Sequence, residues 1–210
     1  MRAFTLIAML ITTLTAACGP STRDDHPPIS EDSYPWQWRD LAELPGDFLW
    51  QQSIDAKLGA HSFHLEAALQ KKDGQLVLVG LTPFGSKAFA LTQQGTSVSF
   101  ESFVDRKPPF PPKFMLVDVQ RAYWPIAPAT ADGAVATELG AEHVDEVFAG
   151  GHLVSRTFTR AELRPDGKPY PGAITIRYDD WQDDVARRVT ITNDWFGYTM
   201  DIRTTSAKTL

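Results

Sequence analysis

The sequence predicts a mainly β, α+β domain organised around a large, strongly curved antiparallel sheet. Three observations lead there. Apolar residues alternate at period two in short runs from Asp47 to Thr204, Gly-rich and Asp-Gly turns separate the runs, and one clear helical pattern interrupts them. About ten strands with one or two helices suit a sheet whose concave face the helices cover.

The first well-marked run sets Phe63, Leu65, Ala67 and Leu69 against Ser62, His64, Glu66, Ala68 and Gln70, which places an apolar row on one face. Lys72-Asp73-Gly74-Gln75 turns the chain, because Asp-Gly tolerates the positive φ of a tight hairpin. Leu76 to Leu81 is apolar on both faces and reads as a strand covered on both sides. After Pro83-Phe84-Gly85, residues 86–92 and 96–104 give two more strands joined across Gln93-Gln94-Gly95. Pro108-Pro109-Phe110-Pro111-Pro112 is too proline-rich for a sheet interior. It opens a helix from Lys113 to Tyr123, with Leu116, Val119, Ala122 and Tyr123 on one face and Pro125 preventing continuation. A second short helix is expected between Asp132 and Leu139, ended by Gly140. Strands resume at 153–159 and 173–178, and a final hairpin pairs 185–192 with 198–204 across Asn193-Asp194-Trp195-Phe196-Gly197. Gly197 is expected at positive φ.

The N-terminus carries a different message. Arg2 precedes an apolar run from Ala3 to Leu14, which is signal-peptide length and well short of the ~20 residues a membrane-spanning helix needs. Leu14-Thr15-Ala16-Ala17-Cys18 resembles a bacterial lipobox, with Thr15 where leucine is usual. The resemblance implies cleavage after residue 17 and lipidation of Cys18, the chain's only cysteine. A free thiol in an exported protein would risk mispairing. Gly19, in place of the aspartate common in inner-membrane lipoproteins, points to the periplasmic face of the outer membrane. Residues 18–35 hold little that a core could use and read as a lipidated flexible tether, leaving 36–210 as a single domain.

Composition bounds the function. The whole chain has formal charge −6, and removing the signal, whose one charged side chain is Arg2, makes it more negative, which argues against nucleic acid as a partner. A lone cysteine allows no internal disulfide, so burial must supply stability, and all six Trp lie beyond the signal. There is no nucleophile elbow, phosphate loop, dinucleotide fingerprint or paired-cysteine metal site, so no enzymatic role and no cofactor is expected. His61 and His64 fall on opposite faces of a strand and cannot share a metal without a bulge. Glu142-His143-Val144-Asp145-Glu146 and Asp179-Asp180-Trp181-Gln182-Asp183-Asp184 read as solvated acidic turns. Phe110, among prolines and flanked by Arg106, Lys107 and Lys113, suits either contact with lipid headgroups or a stiff connector folded back on the core.

Gly80-Leu81-Thr82-Pro83-Phe84-Gly85 between two strands, a helix ending in Tyr123-Trp124-Pro125 and the Asn193 to Tyr198 hairpin together resemble the LolA/LolB class of lipoprotein carriers and receptors. The likeness spans roughly 41–205. It is closest to LolB-like lipoproteins without established function, often encoded beside aryl polyene biosynthesis genes. The resemblance implies a half-open barrel of about 10–11 strands with a helical lid around an apolar cavity that accepts acyl chains. The candidate lining is Phe63, Leu65, Leu78, Phe89, Phe100, Leu116, Tyr123 and Trp124, and Leu116→Glu is expected to weaken ligand binding without disturbing the fold. Implied partners are a lipid or acyl ligand, the outer membrane and a periplasmic LolA-like carrier. A structural or assembly lipoprotein without a small ligand, or a lipid- or polyketide-processing enzyme, are the alternatives.

Overall fold

The computed structural model describes residues 35–105 and 111–210. The signal segment, Cys18, almost all of the expected tether and Phe110 lie outside them. Eleven strands follow in chain order: β1 (Phe48–Leu58), β2 (His61–Lys72), β3 (Gln75–Leu81), β4 (Lys87–Gln94) and β5 (Ser97–Ser102), then α1 (Lys113–Tyr123). After the helix come β6 (Gly133–Leu139), β7 (Glu142–Ala149), β8 (His152–Arg160), β9 (Ile174–Gln182), β10 (Val185–Asn193) and β11 (Tyr198–Thr209).

All eleven form one curved sheet in the order β5-β4-β3-β2-β1-β11-β10-β9-β8-β7-β6, with every pairing antiparallel. Neighbours in space are neighbours in sequence except for β1 and β11, which join the two halves along eleven residue pairs from Phe48↔Thr209 to Leu58↔Tyr198. The sheet's two edges, β5 and β6, are therefore consecutive strands. The connection between them carries α1 across the open side.

Turn chemistry follows the sequence. Lys72 pairs with Gln75 and Gln182 with Val185, and the intervening Asp73-Gly74 and Asp183-Asp184 all have positive φ, as two-residue hairpins require. Gly197 sits at φ 69°. Gly197→Val should cost on the order of 1 kcal/mol or more, read as a lower midpoint in urea unfolding. The tip that Gly197 closes is itself core, since Trp195 and Phe196 are buried and Asn193 caps it through Oδ1 to the Phe196 N–H at 3.1 Å.

Three expectations need correction. Residues 132–139 are not a helix but strand β6, in register with β7 from Gly133↔Phe148 to Leu139↔Glu142. Glu142–Glu146 is not a solvated turn but most of β7, with Glu142, Val144, Glu146 and Phe148 all buried on one face. The acidic run at Asp179–Asp184 is strand through Gln182, and only Asp183-Asp184 forms the turn. Strand β3 also differs in degree: Leu76 and Leu78 are buried while Val77, Val79 and Leu81 are half-buried, so one face is fully covered and the other partly.

Helix α1 is packed into the concave side of the sheet. Phe114 and every residue from Leu116 to Ala122 are buried, a pattern expected only when a helix is surrounded. On one side Phe114, Val117 and Ala122 join a core with Phe158, Ile174, Ile176, Val189 and Ile191. On another, Leu116, Val119 and Trp124 pack with Leu69, Leu76, Leu78 and Leu91. The segment before β1 straps the helix down. Trp36 Nε1 donates to Gln120 Oε1 (2.8 Å), Arg121 to the Pro35 carbonyl (2.9 Å), Arg39 to the Pro125 carbonyl (2.8 Å) and Trp124 Nε1 to the Asp40 carbonyl (3.0 Å).

The outer face of β2 and β1 carries charge. His64 Nδ1 lies 2.9 Å from Asp55 Oδ1 and Nε2 lies 3.2 Å from Glu66 Oε1. The hydrogen bond to Asp55 is the main reason its pKa stands above the ordinary 6.5. A raised folded-state pKa means that this stabilising contribution is complete below pH 6.5 and is lost as pH rises through the folded midpoint. An NMR titration of the His64 ring should show a midpoint above 6.5 that falls back in Asp55→Asn. An unmoved midpoint would count against the bond.

Candidate functional site

The inward residues of β1 to β5 and β11 and one face of α1 enclose an apolar cavity of about 360 Å³. That volume lies in the ~300–1,000 Å³ range usual for small-molecule sites. Helical periodicity selects the ceiling: Met115, Asp118, Val119 and Tyr123 line it, at the i, i+3, i+4 and i+8 positions that share one side of a helix. Strand periodicity selects the floor. Ile54 faces Leu65 across β1 and β2, and Ala56 faces Phe63.

Phe89 and Phe100 form the far wall with ring centroids 6.1 Å apart. Phe89 lies against Gly80, where a Cβ would come within 2.2 Å of the ring. The absence of a side chain at Gly80 is thus what lets Phe89 lie over the β3 backbone. Phe100, Ser102 and Val104 bring the cavity to the β5 edge of the sheet, where Phe100, Phe103 and Val104 are substantially exposed.

The wall has few polar groups. The buried Asp118 carboxylate accepts from the Tyr198 hydroxyl at 2.8 and 2.9 Å. The Tyr123 hydroxyl accepts from Gln52 Nε2 at 3.1 Å, and burial holds its pKa far above the ordinary phenol range.

Of the eight residues nominated from sequence, Phe63, Leu65, Leu78, Phe89, Phe100 and Tyr123 border this cavity. Leu116 and Trp124 do not. Leu116 is fully buried in the core beside β2–β4, and Trp124, also fully buried, is bonded through Nε1 to the strap and borders a different recess. A helix advances about 100° per residue, so Leu116 faces away when Met115 faces the cavity. Sequence reading missed Gln52, Ile54 and Ala56 on β1, Met200 and Ile202 on β11, and Met115 and Val119 on α1. The β11 pair showed a usable signal in its alternation with Asp201, whereas Gln51-Gln52-Ser53 obscured the inward row of β1.

The opposite half of the concave side is built differently. Arg121 of α1 meets Glu142 of β7 at 2.7 Å, and Arg156 of β8 meets Glu146 of β7 at 2.5 Å, all four side chains being buried. The Arg121 guanidinium carbon lies 4.7 Å from the Trp36 ring and 5.4 Å from both Phe158 and Trp195. Burial lifts the Glu142 carboxyl above its usual range, against the opposing pull of Arg121 and Arg160. Arg156 also donates to the Arg121 and Ala122 carbonyls, satisfying groups that a helix C-terminus leaves open. These pairs anchor the helix. Among the described residues no cluster of three or more His, Cys, Asp or Glu could hold a metal ion, and no helix is long and apolar enough to cross a membrane.

No curated protein matches the chain. Among solved structures, the fold is similar to a candidate outer membrane lipoprotein-sorting protein domain from Vibrio parahaemolyticus, at 12% identity and TM-score 0.49, over 78% of this chain and 85% of that one. It is also similar to a LolA superfamily protein from Nitrosomonas europaea, at 9% identity and TM-score 0.43, over 79% and 86%. A DUF1329 family protein from Desulfovibrio piger aligns at 8% identity and TM-score 0.40, over 78% and 85%. The family model described as "Protein of unknown function (DUF3261)" matches residues 49–206, a span that takes in the cavity, the helix and both buried ion pairs, and the chain belongs to that family.

Proposed function

We propose that this protein is an outer-membrane lipoprotein, anchored through Cys18 and set on a tether over residues 18–35. It binds one amphipathic ligand in the cavity beneath α1 and acts as a receptor or carrier in envelope lipid, lipoprotein or aryl polyene transport, without enzymatic chemistry. The observation that carries this reading is the cavity itself: about 360 Å³, walled by Phe63, Leu65, Leu78, Phe89, Met115 and Met200, and reaching the sheet edge at Phe100 and Val104. A core whose purpose was stability alone would fill such a space, because an apolar void costs contact energy. Each methylene moved from water into it is worth up to ~0.8 kcal/mol, so a 16-carbon chain can gain roughly 10 kcal/mol before ordering costs are subtracted. That suffices for reversible capture.

Exposed apolar side chains on the β3–β5 side of the sheet favour a lipid source. Phe84, 95% exposed, stands at the tip of the β3–β4 turn, held there by the Gly85 N–H to the Thr82 carbonyl at 2.8 Å and the Ser86 N–H to Thr82 Oγ1 at 3.2 Å. The exposed Phe103 and Val104 lead toward the segment bearing Phe110, which the same reading assigns to membrane contact. Delivery by a periplasmic LolA-like carrier fits such a position.

Native mass spectrometry of the protein after gentle extraction tests the reading. A retained mass of lipid size is expected. A ligand-free mass from every extraction would favour the structural alternative. The anchor has its own test: Cys18→Ala should release soluble protein and abolish palmitate labelling, and continued labelling with outer-membrane retention would refute it.

A further inference from the structure

The inward row of β1 runs the length of the concave face. Gln52, Ile54 and Ala56 border the cavity described above, while Phe48 and Trp50 border a second one of about 420 Å³ at the other end, walled also by Phe148, Tyr178 and Trp181. Trp50 and Gln52 are two residues apart, roughly 7 Å along a strand. One residue, Tyr123, lines both spaces. Its ring stands edge-on to Trp50 at 4.9 Å, and its hydroxyl accepts from Gln52 at 3.1 Å, with Thr204 Oγ1 accepting from the same Gln52 amide at 3.4 Å. The division between the two cavities at this point is therefore made by a side chain, held in place by side chains.

We propose that the two cavities are halves of one trough and that Tyr123 is its internal end wall, fixing the length of the straight apolar chain that the first cavity accepts. This rests on reading the first cavity as an acyl-chain site. A chain entering at Phe100 and Val104 extends along the floor of Leu65 and Ile54 toward the Tyr123 ring. Each added methylene that remains inside strengthens binding up to about fourfold. Once the chain end meets the ring, the next methylene stays at the rim and the gain stops. With the ring removed, the chain continues over Trp50 into the aromatic-walled second cavity.

The test is a ladder of straight-chain fatty acids from 8 to 20 carbons, measured by displacement of a fluorescent fatty-acid probe from the full chain carrying Cys18→Ala. The starting protein should gain affinity with each carbon up to a limiting length and then level off. Tyr123→Ala should move that limit to longer chains, and Tyr123→Phe, which keeps the ring, should leave it in place. Adding Ala186→Trp, at a small buried residue of the second cavity, should restore the shorter limit in the Tyr123→Ala background. Should Tyr123→Ala fail to give a cooperative unfolding transition, Tyr123→Leu replaces it with the same expected direction. An unchanged limit in the folded variant, or no limit in the starting protein, overturns the end wall while leaving the first cavity as a binding site. Failure of the starting protein to bind any length refutes the acyl-chain reading and the end wall with it.

Discussion

Arg121→Met should lower stability by about 3–5 kcal/mol, because removing one partner of a buried ion pair strands the other charge in a low-dielectric interior. Glu142 is that stranded charge, its Oε1 lying 2.7 Å from Arg121 Nη2 and 3.7 Å from Arg160 Nη1. Arg160 retains part of the compensation, which places the expected value toward the lower end. Three aromatic rings and the Pro35 carbonyl lose a partner at the same time. The double variant Arg121→Met/Glu142→Leu should recover most of the loss, since two apolar groups of similar size can replace a buried pair at little cost. Urea unfolding of both variants and of Glu142→Leu alone completes the cycle. A loss below ~1 kcal/mol for Arg121→Met would mean that the pair is hydrated.

Leu116→Glu should abolish cooperative folding or cost more than ~4 kcal/mol, contrary to what the sequence alone suggests. Leu116 is fully buried in a cluster with Leu69, Leu76 and Leu91, where a carboxylate would sit among aliphatic side chains out of water. Its neighbour Met115 lines the cavity and is only partly buried. Met115→Glu should therefore keep the far-UV circular dichroism of the starting protein and lose ligand affinity. If Leu116→Glu folds normally, the helix is rotated away from the orientation that buries Leu116 against Leu69, Leu76 and Leu91.

The pattern of correct and missed expectations has a physical basis. The β2–β5 meander, the limits of α1 and the last hairpin were legible because their signals are local: alternation within one strand, Asp-Gly turns, and proline at both ends of the helix. The β6–β7 hairpin was not. Glu142 and Glu146 occupy inward positions of β7 that a period-two reading reserves for apolar residues, and their burial depends on Arg121 and Arg156, which lie on other elements. No local pattern announces a partner 21 residues away, as with Arg121 and Glu142. In the cavity, the apolar lining of β2 to β5 was recognised because every second residue faces in, whereas Ile54 and Ala56 on β1 and Met200 and Ile202 on β11 were passed over among polar neighbours. The helix misled: Met115, Val119 and Tyr123 face the cavity while Leu116 and Trp124, one residue further on, face the core, and composition does not distinguish the two stripes.

Whether the space beneath α1 is a ligand site is tested most directly by titrating a fluorescent fatty-acid probe into the starting protein and into Ala56→Trp. Ala56 is a small, half-buried floor residue opposite Phe63, so an indole there should occupy the void without displacing the buried core. Saturable binding at one site by the starting protein, lost in Ala56→Trp at an unchanged unfolding midpoint, is the predicted result. No probe binding by the starting protein, or equal binding by a folded Ala56→Trp, would contradict it.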